Sequence, residues 1–269
     1  MIDEFRHGRA RVRYSVEGSG PPVLLCNGIG APFELLQPLR SALAGTTIVW
    51  DAPGAGGSSV PLRPPSMRYV AEIAAALLDH LGHDSVNLVG LSWGGLTAQE
   101  LTLSYPHLVR RLVLAATGTG WTSVPGDIWA LRAMLSVRRY TSPEYLLQVG
   151  PGLYGGDIAR DPTILRQQAF QRLTHAPSTI GYWWQATSAA WWTSLSRLAR
   201  ISQPTLVIAA DDDPIAHVQN GRIIARRIPN AHLELIEGGG HLFLLTRVDE
   251  SVALIHEFLS NGSATDDWK

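Results

Sequence analysis

The residues with the clearest chemical potential are Gly90-Leu91-Ser92-Trp93-Gly94-Gly95. They follow the apolar run Val86-Asn87-Leu88-Val89 and precede Leu96-Thr97-Ala98-Gln99-Glu100-Leu101, so the order is short strand, tight turn, helix. A serine between glycines at such a turn sits on a strained backbone that lifts its Oγ clear of the sheet, while the glycines let strand and helix pack closely. An ordinary glycine turn produces the same letters, so the assignment depends on partners. A serine hydroxyl attacks an acyl carbon only when a base takes its proton, and that base is usually an imidazole held by a carboxylate.

Nine histidines compete for the role of base. His256 falls in the final helix, His80 and His83 end a surface helix, and His7, His107, His175 and His232 have no special setting. His217 follows an acidic turn closely. His241 stands apart because Gly238-Gly239-Gly240 places it in a loop after the last strand, where its ring can reach over the sheet edge. Candidates for the acid are Asp211, Asp212 and Asp213, directly after the apolar run 205–210. Periodicity leaves all three open.

These residues need a scaffold. Ala10, Val12, Tyr14 and Val16 alternate with polar residues, the period of a half-solvated strand, and an antiparallel edge is expected there. The runs 22–26 and 46–50 read as buried strands, each ending in a glycine turn, and 112–116, 205–209 and 233–236 read as later ones. Helices are expected over 66–81, with Val70, Ile73, Ala74, Leu77 and Leu78 on one face, and over 252–259. Strands alternating with helices imply an α/β fold with a mostly parallel sheet covered on both faces. The polar tail from Ser260 is expected to fray.

The rhythm breaks between Gly120 and about Ile201. Helical stretches appear there around 127–139, 162–175 and 179–198, but no buried strand, so 120–201 reads as an inserted helical lid between core segments 1–119 and 202–269. Trp121, Trp129, Trp183, Trp184, Trp191 and Trp192 lie in it or at its edge. Most such rings fill a small core. The adjacent pairs point in different directions on a helix, so Trp129, Trp183, Trp184 and Trp191 are expected to contribute to an apolar pocket above Ser92.

Composition narrows the classes. The 269 residues are 45% hydrophobic with a net charge of −1, enough apolar content for a sizeable core and no basic stripe for nucleic acid. The single cysteine, Cys26, excludes an internal disulfide and a cysteine-based zinc site, and fits a reducing cytoplasm. The first residues lack the apolar core of a signal peptide, and no stretch reaches the roughly 20 apolar residues of a membrane span. Gly54-Ala55-Gly56-Gly57 does not match G-x-G-x-x-G, and no metal or organic cofactor is required for the serine chemistry.

Taken together, the motifs and their order resemble the α/β-hydrolase superfamily with a helical cap. Within it, Asn27-Gly28-Ile29-Gly30-Ala31, the 51–59 turn, 90–95, Arg139-Tyr140, Leu153-Tyr154-Gly155-Gly156, 203–207 with 211–214, and Gly240-His241-Leu242-Phe243-Leu244 are similar to intracellular medium-chain-length poly(3-hydroxyalkanoate) depolymerases. The resemblance implies the chain order Ser92, Asp213, His241, with Asp213 standing three residues after the small Ala210. It implies oxyanion donors at the Trp93 and Ile29 amides. Asn27-Gly28 replaces the His-Gly that commonly begins this loop, and Asn27 is expected to order it and border the substrate. The implied activity is a serine esterase acting on a hydrophobic polyester or its oligomers, with the storage granule as a further partner. Small-molecule carboxylesterases, haloperoxidase-like hydrolases and non-catalytic small-ligand receptors share much of the pattern. An aspartate would replace Ser92 in the dehalogenases and epoxide hydrolases of this fold.

Overall fold

The computed structural model of the chain describes residues 2–260; of the tail expected to fray, Ser260 ends a helix and 261–269 lie outside the described residues. Eight strands form one sheet: β1 (Ile2–His7), β2 (Ala10–Glu17), β3 (Pro22–Cys26), β4 (Thr46–Trp50), β5 (Val86–Leu91), β6 (Val109–Ala115), β7 (Thr205–Ala210) and β8 (Ala231–Ile236). Their order is β1-β2-β4-β3-β5-β6-β7-β8, antiparallel from β1 to β4 and parallel from there to β8. The antiparallel strand Ala10–Glu17 was expected at the edge, but β1 covers it. Gly8, at φ 55°, closes the connection, with His7 opposite Ala10. The turn needs a left-handed backbone that glycine adopts without a Cβ clash.

The central strands are buried on both faces, as parallel sheets require. Alternation divides them between two cores: Leu24 and Leu88 face one, Val23, Leu25 and Val89 the other. Helix Met67–His80 covers the first with Val70, Ile73, Ala74, Leu77 and Leu78, and Ser66 caps it by accepting the Tyr69 amide at 3.1 Å. Such a cap contributes about 1 kcal/mol. Helix Val248–Ser260 lies on the second face through Val252 and Ile255.

Between β6 and β7 run six α-helices: Ile128–Met134, Arg138–Thr141, Pro143–Tyr154, Gly156–Arg160, Ile164–Thr174 and Thr179–Ala190. Helix Pro143–Tyr154 falls between the expected helical stretches 127–139 and 162–175, in a segment whose Pro143 and Pro151 ordinarily end helices. Pro143 instead occupies the first turn, where its missing N–H costs nothing, and Ser142 caps the helix. Leu146, Val149, Leu153 and Tyr154 of this helix are buried. The Thr179–Ala190 helix stops short of the expected 198, leaving Trp191 outside it. Among the described residues no helix is long and apolar enough to cross a membrane.

Candidate active site

Sheet order brings the sequence candidates together. The loop after β3 and the turn after β5 are neighbours because Cys26 pairs with Gly90, while β7 and β8 deliver the 211–213 turn and the 238–241 loop at the same end. Ser92 has φ 55° and ψ −117°, a strained backbone for a residue with a Cβ, between the end of β5 and helix Trp93–Ser104. The glycines around it are required by contact. A Cβ on Gly94 would lie 2.1 Å from the Cys26 carbonyl oxygen, and one on Gly90 2.6 Å from that of Gly94. Ser92 donates its amide to the Ala115 carbonyl at 2.9 Å and accepts Thr117 Oγ1 at 2.7 Å on its own carbonyl.

His241 Nε2 stands 3.0 Å from Ser92 Oγ, and its Nδ1 stands 2.8 and 3.0 Å from the two carboxylate oxygens of Asp213. His241 and Asp213 are buried. The amides of Ile215 and Ala216 donate to Asp213 Oδ1 at 2.8 and 2.9 Å, which fixes the carboxylate. Of the competing acids, Asp211 accepts the Gly238 amide and Asp212 the Gly156 amide, so both tie loops and neither meets the imidazole. The His241 amide donates to the Tyr154 carbonyl at 2.7 Å. His217 is exposed and accepts the Gln219 amide.

Ile29 and Trp93 line the same cavity as Ser92. Trp93 opens its helix, whose leading N–H groups have no partner within the helix. Among the described residues neither amide has a protein acceptor. The Ile29 loop is held from several sides: Asn27 Nδ2 donates to the Pro32 carbonyl, Asn27 Oδ1 accepts the Gly28 amide, Tyr140 Oη donates to the Ile29 carbonyl at 2.6 Å, and Gln185 Oε1 accepts the Gly30 amide at 2.7 Å. Gln185, fully buried, also donates Nε2 to the Pro53 carbonyl and accepts Trp93 Nε1 on its own carbonyl. Sequence reading missed Gln185 and the contact of Tyr140. The only local signal was a polar side chain inside an apolar helix.

A cavity of about 350 Å³ opens from Ser92, Ile29 and Trp93 and is lined chiefly by apolar groups, among them Leu96, Trp121, Val124, Leu131 and Met134. A smaller one of about 40 Å³ also reaches Ser92 and Ile29 and includes Asn27, His241, Arg139, Tyr154 and Arg172.

The expected tryptophan wall is corrected: none of Trp129, Trp183, Trp184 and Trp191 lines either cavity. Helix Thr179–Ala190 turns Gly181, Tyr182, Gln185 and Ser188 inward, a 3.6-residue stripe that leaves 183 and 184 to other directions. Trp184 donates Nε1 to the Pro61 carbonyl, Trp183 packs edge-on against Tyr182, Trp129 lies against Gly152, and Trp191 is 85% exposed beyond the helix end. Trp121 and Trp93 are the tryptophans at the larger cavity.

Buried Cys26 has its thiol pushed up to about 12 by desolvation and does not compete as a nucleophile. Burial also raises Asp51, although Gly57, Phe33 and Arg13 donate to it.

The sequence profile of the alpha/beta hydrolase family matches residues 23–254. The chain belongs to that family. It is 43% identical over 240 residues to a poly(3-hydroxyalkanoate) depolymerase of Ectopseudomonas oleovorans, covering 88% of this chain and 84% of that one. A hydrolase from Pseudomonas aeruginosa PA01 superposes with a TM-score of 0.80 at 25% identity, over 96% of this chain and 98% of its own. The enol-lactonase of Burkholderia xenovorans LB400 shares the fold, with a TM-score of 0.82 at 22% identity over 96% of this chain and all (100%) of its own.

Proposed function

We propose that this α/β hydrolase is a serine esterase that cleaves poly(3-hydroxyalkanoate) or its oligomers through an acyl-enzyme. The observation that carries the chemistry is the continuous contact from Ser92 Oγ to His241 Nε2 at 3.0 Å and from His241 Nδ1 to Asp213 at 2.8 Å. The depolymerase relative at 43% identity supports the substrate class, as does the apolar cavity beside Ser92.

Ser92 Oγ attacks the ester carbonyl while His241 Nε2 takes its proton, and the oxyanion accepts the Trp93 and Ile29 amides. The C–O bond breaks as His241 returns the proton to the departing alkoxide. Water then attacks the acyl-enzyme, giving its proton to His241, which protonates Ser92 as the acid leaves. Asp213 orients the imidazole and stabilises its cation without itself being protonated.

Segment 120–201 acts as a cap, since Tyr140 and Gln185 reach from it to the Ile29 loop. Exposed Trp183 and Trp191 on that segment suit adsorption to a polyester surface.

The test is labelling by a fluorophosphonate together with turnover of p-nitrophenyl octanoate and of amorphous polyester, in parent and Ser92→Ala proteins. One label per chain at Ser92 with turnover of both substrates is expected. Labelling with turnover of the small ester alone would make this a small-molecule esterase, and no labelling would leave a ligand receptor. Loss of polymer adsorption on Trp191→Ser in the Ser92→Ala background would assign the surface contact.

A further inference from the structure

Arginines with nearly buried side chains normally carry a carboxylate, because an uncompensated buried charge is costly. Arg13 follows the rule with Asp51 and Glu34, and Arg40 with Glu17. Arg139 and Arg172, only 4% and 3% exposed, do not: no carboxylate among the described residues forms an ion pair with either. Arg139 donates to Tyr154 Oη at 3.1 Å and Tyr182 Oη at 2.8 Å; Arg172 donates to Tyr154 Oη at 3.2 Å and Gln168 Oε1 at 3.2 Å. The Nε of each has no partner. Ring faces lie beside them, with the Arg139 guanidinium 4.6 Å from the Tyr140 ring centre and that of Arg172 5.3 Å, but a ring face carries no net charge.

Both arginines line the small cavity that also contains Ser92, His241 and Ile29. Its 40 Å³ admits about three water-sized groups, the size of a carboxylate. Tyr154 Oη accepts from both guanidiniums, and its own proton has no acceptor among the described residues. Burial pushes this phenol up, but Arg172 and Arg139 outweigh it and hold it below its ordinary value, the response of a group in a strongly positive field.

We infer that Arg139, Arg172 and the Tyr154 hydroxyl form a carboxylate subsite on the leaving-group side of Ser92, one that selects the free carboxyl end of a 3-hydroxyacyl ester. In such a substrate only the ester oxygen, the oxygen-bearing carbon and one methylene separate the scissile carbonyl from the terminal carboxylate. With the acyl side in the larger cavity, the carboxylate falls in the smaller one. Water adds across the ester, the acyl–oxygen bond breaks, and one free 3-hydroxy acid leaves from the carboxyl end at each turnover. The catalytic half of this inference rests on the esterase reading above; the binding half does not.

The first measurement is therefore calorimetric titration of Ser92→Ala protein with 3-hydroxyoctanoate and with its methyl ester. The acid is expected to bind at least about tenfold more tightly, as charge-assisted bidentate contacts imply. Arg139→Gln and Arg172→Gln, checked for folding by thermal unfolding, each reduce that ratio. The second compares kcat/KM of parent enzyme on the linear 3-hydroxyoctanoate dimer as free acid and as methyl ester, which needs no variant at the arginines. A ratio of about ten or more in favour of the acid is expected. Equal binding of acid and ester, or equal turnover of the two dimers, overturns the subsite. So does a tyrosinate absorbance at neutral pH that disappears in Tyr154→Phe, because the arginines would then have their counterion within the protein. Binding of the acid without hydrolysis of any ester would sink the esterase reading and leave the carboxylate site standing.

Discussion

Asp213→Asn separates the catalytic role proposed for this carboxylate from its role in the turn. Asp213 Oδ1 accepts two amides, Ile215 at 2.8 Å and Ala216 at 2.9 Å, while Oδ2 faces His241 Nδ1 at 2.8 Å. Asparagine has one carbonyl oxygen, and the two amides claim it. Its NH₂ then replaces Oδ2 and presents a donor to Nδ1. Although Oδ1 also lies 3.0 Å from Nδ1, the closer NH₂ favours an imidazole that accepts there and carries its proton on Nε2, where it can no longer receive one from Ser92. The wrong tautomer at a hydrolase triad of this type costs about 10⁴ in kcat, equivalent to about 5.4 kcal/mol of transition-state stabilisation. Stability should change little, since the turn keeps both amide bonds. Asp212→Asn provides the contrast: that side chain accepts only the Gly156 amide and is exposed, so its kcat should stay within about threefold of the parent. The assay is kcat and KM for p-nitrophenyl octanoate near pH 7.5, with thermal unfolding of each protein. An Asp213→Asn enzyme within about tenfold of the parent kcat, or an Asp212→Asn enzyme showing the large loss, would refute the assignment of the acid.

Gln185→Ala strips the Gly30 amide and the Pro53 carbonyl of their buried partner, so it should cost about 1–3 kcal/mol of stability. It should lower kcat more than it raises KM as the Ile29 amide loses its support; an unchanged kcat would remove Gln185 from the positioning of that loop. The 350 Å³ apolar cavity predicts that kcat/KM for p-nitrophenyl esters rises from acetate towards medium chains by up to about fourfold per methylene, about 0.8 kcal/mol each, and a maximum at acetate would contradict it. Asp157 joins the helical insertion to Arg247 and Thr246. Burial raises its carboxyl, but Arg247, Arg160 and Thr246 lower it further, so the folded value is depressed. Its contribution is thus present above the unfolded value of about 3.9 and disappears as pH falls through the folded one. The gap in unfolding temperature between parent and Asp157→Asn should narrow as pH drops from about 6 to about 3, whereas a constant gap would mean the charge does not matter.

Local pattern was enough to read the α/β class, and to expect Ser92 at a strand-to-helix turn and His241 in a glycine loop, where the structure has them 3.0 Å apart, because each is written in adjacent residues. Apolar runs of strand length between amphipathic helices permit few arrangements, and a serine between glycines after such a run has one natural conformation. The acid was different, because resemblance to the family singled out Asp213 while the local pattern left all three aspartates open. Three consecutive aspartates share one local environment, and only the pairing of β7 with β8, which sets the turn after one beside the loop after the other, gives Asp213 the imidazole while leaving Asp211 and Asp212 on backbone amides. The tryptophans show the same limit from the other side. The positions of Trp183 and Trp184 along their helix were legible, but its end before Trp191 was not, and its inward face was set by Gly181 packing against Gly54 and by Gln185 reaching Gly30 and Pro53. Which rings met the cavity therefore could not follow from spacing. Arg139 and Arg172 are 33 residues apart on separate helices, and nothing near either in sequence marks it as buried or unpaired. Their charge became chemistry only when packing removed them from water and brought both to one phenol oxygen beside Ser92. Burial and convergence are properties of the packed chain, arising from contacts between residues that the sequence keeps far apart.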